Sequence, residues 1–287
     1  DDVKGIPVPF EKTHGWIFEV PAKNAATAVP LKAMGRFVHE AVAVDPETGF
    51  VYETEDRSTS GFYRFLPKTK SKLADGGRLQ MLKVAGREQL QKGCKVGETL
   101  DVQWVNIDDP ERAHSPGNKD DLGVYTQGRD QGGTTFARLE GCWYGRETGT
   151  GLIYVVSTSG GNAGAGQVWE FSPAAQTIKL IFESPAKAVM EAPDNVTIRP
   201  ISGSIVLCED GKLSPQRLHA IRPDGSHLTI AANNVMPDPG GKRIRRDYRD
   251  GEWCGACFDS TGQWLFVNIQ SPGITFAISG PWSDLTL

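Results

Sequence analysis

No stretch of this chain approaches the roughly eighteen uninterrupted apolar residues that a membrane-spanning helix needs. Nor is there an amphipathic pattern sustained over three helical turns, which excludes a helical bundle. Short helical turns are expected only near 87–92 and 185–191. Cysteine is sparse: five residues, at 94, 142, 208, 254 and 257, without regular spacing, so a disulfide scaffold is excluded. Cys254-Gly-Ala-Cys257 has C-x-x-C spacing but no second such pair and no nearby histidine pair. The cysteines therefore read as buried or incidentally disulfide-bonded rather than as a zinc or redox motif. An excess of positive charge is also missing; the net charge of −4 argues against nucleic acid as a partner. The one basic cluster, GKRIRRDYRDG (241–251), is interleaved with acids and reads as a solvated loop, the alternative being a phosphate-attracting rim. The opening residues carry no basic n-region or apolar h-region, so a mature, processed or partial chain is expected.

What the chain does contain is turns and strands. Thirty-three glycines and eighteen prolines among 287 residues, with 39% apolar residues, suit many short strands in one all-β domain. Four stretches repeat a strand-turn-strand pattern: HEAVAVDPETGFVYETED (39–56), LEGCWYGRETGTGLIYVVST (139–158), PDNVTIRPISGSIVLCED (193–210) and GEWCGACFDSTGQWLFVNIQ (251–270). A further apolar segment follows each, at 61–67, 166–173, 217–223 and 273–280. The units start 100, 54 and 58 residues apart (40→140→194→252). Periods of roughly 40–60 residues with about four strands each mark a β-propeller. The long first interval holds a further unit, with strands expected at 78–84 and 99–107 and a surface loop insertion at 108–121. HGWIFEVP (14–21) reads as the third strand of a blade. On this reading residues 1–287 form a single propeller domain that opens in mid-blade.

Aligned on the turn glycines, the repeats place Glu40, Glu140, Asp194 and Glu252 at one structural position, nine to eleven residues ahead of the turn. Acids that start successive innermost strands converge on the channel axis and repel one another unless cations neutralise them. Oxygen-rich ligation suits calcium, or iron or manganese. The alternative is that they cap strand ends or pair with rim arginines. A second polar tier closes the following strands: Glu55-Asp56, Thr158-Ser159, Glu209-Asp210 and Asn268 with Gln270. Alternation lets only one member of each pair face the channel, which makes Glu55, Glu209 and Asn268 candidates for further ligands or for hydrogen bonds to the first tier; ordinary strand-end turn residues are the alternative. Arg138 stands two residues before Glu140 and on a continuous strand would share its face. A guanidinium beside a carboxylate-held metal suits a phosphate oxyanion. A plain Arg–Glu ion pair is the alternative. His39 faces away from Glu40 and reads as structural. The other histidines have no partner at ligand spacing.

Several of these motifs, GRFVHEAVAVDPETGFVYETED followed by GFYRF, QG-x(7)-FARLEG (127–141), PDN-x(11)-LCEDG (193–211) and LFVNIQSPGITFAISGPW (265–282), resemble the PhoX-type alkaline phosphatase family. The resemblance runs in order over nearly the whole chain. It implies a six-bladed propeller, export to the periplasm or cell exterior, hydrolysis of small phosphoester substrates (phosphomonoesters), and calcium and iron in the channel. By the same resemblance Glu40, Glu140 and Glu252 are metal ligands and Arg138 binds phosphate and is catalytic. Asp194, Glu209 and Asp210 fall in the PDN and CED motifs and are taken as further ligands. The family also carries an upstream segment of the form TPWGTWLTCEE, supplying a cysteine and acids, with no counterpart here. The expectation is therefore a C-terminal part whose ring is completed by an N-terminal fragment or second chain, or a variant with an incomplete centre. A rival reading is a non-catalytic, calcium-stabilised propeller that binds a partner through an open edge. A calcium-dependent lactonase also uses axial acids but leaves Arg138 and the motifs unexplained.

Overall fold

A computed structural model describes residues 11–26, 28–112, 123–145, 149, 151–238, 240 and 244–287. Most of the expected loop at 108–121 lies outside the described residues, as do 241–243 of the basic cluster. The chain divides into two compact units, Asp1–Leu90 with Leu100–Leu139, and Gln91–Thr99 with Glu140–Leu287.

The first unit is an antiparallel meander of β1 (His39–Val44), β2 (Val51–Glu55), β3 (Phe62–Pro67), β4 (Gly77–Val84) and β5 (Thr99–Asn106), adjacent in that order. The helix α1 (Val124–Asp130) lays Val124 and Tyr125 on a core of Phe37, Tyr63, Phe65, Leu79 and Met81. The strands expected at 78–84 and 99–107 are β4 and β5. The strand expected at 14–21 is not formed; only an isolated bridge joins Phe18 to Pro30. No helix forms at 87–92, where the backbone bridges to Thr135 instead.

Among the described residues the second unit holds three sheets. β6 (Leu139–Gly145), β7 (Leu152–Ser157), β8 (Gln167–Ser172) and β9 (Thr177–Glu183) are neighbours in sequence order. β10 (Pro193–Ile198), β11 (Ile205–Glu209), β12 (Arg217–Ile221) and β13 (His227–Ala232) form the second sheet. β14 (Trp253–Phe258), β15 (Trp264–Ile269) and β16 (Ile274–Ser279) form the third.

Strand β11 explains how the sheets stack. Successive side chains point to opposite faces, so Ile205 and Leu207 pack on Tyr154, Val156 and Val168 of the preceding sheet. Val206 and Cys208 pack on Trp253, Leu265, Val267 and Ile269 of the following one. A sheet covered on both faces needs apolar residues at every position, hence the uninterrupted Ile-Val-Leu-Cys. Such stacked antiparallel meanders are the blades of an all-β propeller. The last sheet buries one face and exposes Trp264 and Phe266 on the other. Among the described residues no helix is long and apolar enough to cross a membrane.

Candidate metal centre

The strand ladders show where the repeated acids stand. In β1–β2, His39 pairs with Glu55 and Val42 with Glu53, leaving Glu40 and Ala41 as a β-bulge. In β10–β11, Pro193 pairs with Glu209 and Val196 with Leu207, leaving Asp194 and Asn195 as the bulge. In both hairpins the acid is the second residue of its strand, as Glu140 is of β6. A bulge bends a strand and re-aims its side chains. Its displaced amide needs another acceptor, and the Ala41 N–H finds Thr54 Oγ1 at 3.0 Å.

Glu252 does not share this position. The second residue of β14 is Cys254, which pairs with Asn268 ahead of a bulge at 255–256. A backbone bond confirms the offset. Asp56 N–H donates to Val38 O, Asp210 N–H to Ala192 O, and Gln270 N–H to Glu252 O. Glu252 thus stands where Val38 and Ala192 stand, two residues ahead of the acid. The turn glycine is the reason: Gly262 comes one residue earlier in its turn than Gly49 and Gly203. Counting back from it overshoots Cys254.

Within the second unit Glu140 and Asp194 come together. They are 3% and 7% exposed, and each brings a carboxylate oxygen within 4.8 Å of the other's. The backbones approach closely here. A Cβ on Gly141 would lie 2.5 Å from Asp194 O and 2.9 Å from the Val196 nitrogen, so only glycine fits. Asn195, not foreseen from sequence, braces the pair. Its Nδ2 donates to Asp194 Oδ1 (2.8 Å) while its Oδ1 accepts the Gly255 N–H (2.6 Å). Gly255 adopts φ +62°, which glycine takes without strain. Burial, with the nearby charges of Glu252 and Asp194, raises the pKa of the Cys254 thiol. Burial, then Asp194 and Cys254, pushes that of Cys208 well up. Two buried carboxylates at this separation repel strongly. A hard cation between them removes that repulsion, so the donor set fits calcium, or iron or manganese. Glu40, in the first unit, has the equivalent place in β1 and is exposed.

Arg138 lies just before β6 with φ +49°, and Ala192, equally placed before β10, has φ +50°. This left-handed residue interrupts the strand, so the alternation expected to align Arg138 with Glu140 does not extend to it. Instead the Arg138 N–H donates to Arg57 O (2.8 Å) and its Nε to Asp56 Oδ1 (2.7 Å). Asp56, Arg57, Ser58 and Arg138 line an open pocket of about 260 Å³.

In the second tier Glu55 and Glu209 are buried and engaged. Glu55 Oε2 accepts from the Gly61 N–H (3.1 Å) and Tyr63 OH (2.7 Å). Glu209 accepts from the Glu191 and Arg217 amides and the Arg217 guanidinium, and His219 Nε2 lies 3.0 Å from its Oε1. Burial alone would raise the Glu209 pKa, but these bonds, His219 and Arg217 foremost, bring it below the usual range. Asp210 is exposed at the end of β11. Asn268 holds Cys254 O (3.3 Å) and accepts from Thr275 Oγ1 (2.7 Å). His39 is structural, bonded to Gly35 O at 3.1 Å, and burial lowers its pKa to about 4. His219 and His227 do have partners, each other, at 2.9 Å across β12–β13. None of the five cysteines is in a disulfide; Cys94, Cys142 and Cys208 are buried and Cys257 is exposed.

A family model described as "Alkaline phosphatase PhoX" matches residues 6–273. Among solved structures the chain is similar to Pseudomonas fluorescens PhoX in complex with vanadate, described as a transition state analogue. The TM-score is 0.65 at 17% identity, covering 90% of this chain and 53% of that one. The chain therefore spans about half the length of that structure, and the likeness shows the fold. A weaker likeness, TM-score 0.41 at 12% identity, covers 90% of this chain and 70% of a putative 6-phosphogluconolactonase from Bacteroides uniformis. No curated protein matches the sequence.

Proposed function

Because the chain belongs to the PhoX alkaline phosphatase family, we propose that it is a metal-dependent phosphatase hydrolysing phosphomonoesters. The observation that carries this reading is the buried Glu140–Asp194 pair, two carboxylates within 4.8 Å that call for a cation. Glu140 and Asp194 would hold the metal, and Glu40 takes the same role by its equivalent place in β1. Calcium or iron fits these oxygen donors. A bound cation would neutralise phosphoryl oxygens and supply an activated water at neutral pH. Glu252 adds negative charge beside Cys254. Glu209 and Asp210 act from outside this donor set, Glu209 by fixing Arg217 and His219 at the base of β11.

Arg138 is the residue that would touch the phosphoryl group. Its planar fork matches two phosphate oxygens, and Asp56 holds it in place through Nε. Phosphoryl transfer leaves little covalent work to the protein, so positioning and charge supply most of the rate. Family membership also suggests action in the periplasm or at the cell exterior.

The test is turnover of 4-nitrophenyl phosphate by protein loaded with calcium and iron. Chelation should abolish it, and Glu140→Gln and Arg138→Ala should each lower kcat/KM by about two orders of magnitude or more. No turnover by the metal-loaded protein, with thermal stability still metal-dependent, would replace this reading with that of a non-catalytic metal-stabilised propeller.

A further inference from the structure

At the end of β11 away from Asp194, the first two sheets of the second unit part around a cavity of about 280 Å³. Ile205 begins β11, while Glu209, paired with Pro193 beside Asp194, ends it. At about 3.3 Å per residue the two ends stand roughly 13 Å apart, so the cavity is separate from the carboxylate pair. Its floor is apolar: Tyr154 of β7, Ile205 and Ile221 of β12 are buried and pack together. The ladder register places the charges above that floor. Tyr154 pairs with Glu170 of β8 and Glu170 with Lys179 of β9, so the three side chains stand in one row on one face. Glu170 and Lys179 are half-buried and opposite in charge, yet they do not bridge each other. Among the described residues neither side chain has a hydrogen-bond or ion-pair partner. Arg222, just after β12, lines the cavity too. Its Nε donates to Leu285 O (2.8 Å) and its Nη1 to Ser226 Oγ (3.1 Å), which leaves Nη2 uncommitted. Asp224, on the turn that follows, is the second acid of the lining and accepts the Ser226 N–H (2.8 Å). Two cations and two carboxylates leave the lining without net charge.

An apolar floor under charges of both signs suits a ligand that carries both. A carboxylic acid alone would engage Lys179 and Arg222 but bring its charge beside Glu170; an amine alone would do the reverse. We propose that this cavity binds a free apolar α-amino acid of the size of leucine or phenylalanine. Its carboxylate pairs with Lys179 and Arg222 Nη2, its ammonium group with Glu170, and its side chain lies on Tyr154, Ile205 and Ile221. Burial of the side chain supplies affinity, and the charge-assisted bonds fix the orientation. The site stands apart from the phosphatase reading, since an occupant here does not touch the Glu140–Asp194 pair.

The experiment is calorimetric titration of the metal-loaded full chain with L-leucine and L-phenylalanine. The controls are glycine, isocaproate and isoamylamine, which lack the apolar side chain, the ammonium group and the carboxylate of leucine in turn. Leucine should bind about tenfold tighter than each control, the worth of one charge-assisted bond or of the buried side chain. Glu170→Gln should weaken leucine binding about tenfold and leave isocaproate unchanged. Lys179→Met should weaken leucine and isocaproate alike without weakening isoamylamine, and Lys179→Arg should recover part of the loss. Neither side chain has a partner to lose, so these variants should keep the melting temperature of the unaltered protein; the ligand series on that protein decides the matter even if one of them fails to fold. Isocaproate binding as tightly as leucine, leucine affinity unchanged in Glu170→Gln, or no binding of either amino acid overturns the proposal. Turnover is no part of this readout, so a protein without phosphatase activity that binds leucine in this pattern still supports the site.

Discussion

Burial pushes the Glu55 carboxyl up to about 7 from 4.5, an effect that the Gly61 and Tyr63 hydrogen bonds and the Arg57 charge only partly offset. Between those values the folded protein keeps this proton while the unfolded chain has released it. The native state then binds more protons, so stability falls as pH rises through this window and levels off above it. The shift corresponds to a loss on the order of 3 kcal/mol. Glu55→Gln keeps an oxygen for Gly61 N–H and Tyr63 OH but removes the charge. We expect the variant to melt several degrees higher than the unaltered protein at pH 8 and close to it at pH 4.5. Equal melting temperatures at both pH values would show that Glu55 is not buried as a carboxylate. Glu209 is the contrasting case at the equivalent ladder position: its bonds to Arg217 and His219 favour the ionised form, so its contribution is lost as pH falls.

At the scale of strands, the Glu140–Asp194 pair depends on how closely β6 approaches β10. Gly141→Ala would drive a methyl group against Asp194 O and the Val196 nitrogen, which are backbone atoms and cannot turn aside. We expect a loss of about 1–3 kcal/mol in urea denaturation and a weaker metal affinity, because the two carboxylates are pushed apart. A fully stable variant with native metal affinity would contradict the packing. The strands themselves were legible in sequence. Apolar runs such as Ile205–Cys208, bounded by turns with glycine, leave few alternatives, and β4 and β5 were read from the same signal. The segment 14–21 misled because its apolar residues look like a strand, while its backbone makes isolated contacts rather than a ladder: Phe18 bridges to Pro30, Ile17 O accepts from Leu31 N–H and Gly15 O from Phe37 N–H. Helix α1 escaped because seven residues with Gly128 inside give less than two turns of periodicity. The place of Cys254 escaped for another reason: bulges and turn lengths shift register by one residue without changing the apolar pattern. Likewise, His219 and His227 meet only because β12 pairs with β13 in a register that places Thr229 opposite His219.

For the molecule as a whole, 35 acids against 31 basic residues leave a mild net charge, so general self-repulsion is small and the effect of a cation should be local. A ligand that binds only the folded chain stabilises it by mass action, about 2.7 kcal/mol at a free concentration one hundred times its dissociation constant. For a chain of this size that amounts to a rise of several degrees in melting temperature. We expect calcium or iron to produce such a rise, and a chelator to reverse it, where sodium chloride of equal ionic strength does not. The ladder register ranks the variants. Glu140→Gln and Asp194→Asn remove donors from the buried pair and should abolish most of the rise. Glu252→Gln lies at the Val38 and Ala192 position and should keep most of it. Melting that ignores metal and chelator alike would show that the Glu140–Asp194 pair is not a cation site. A Glu252→Gln loss as large as that of Glu140→Gln would instead show that the fourth acid reaches the metal despite its offset.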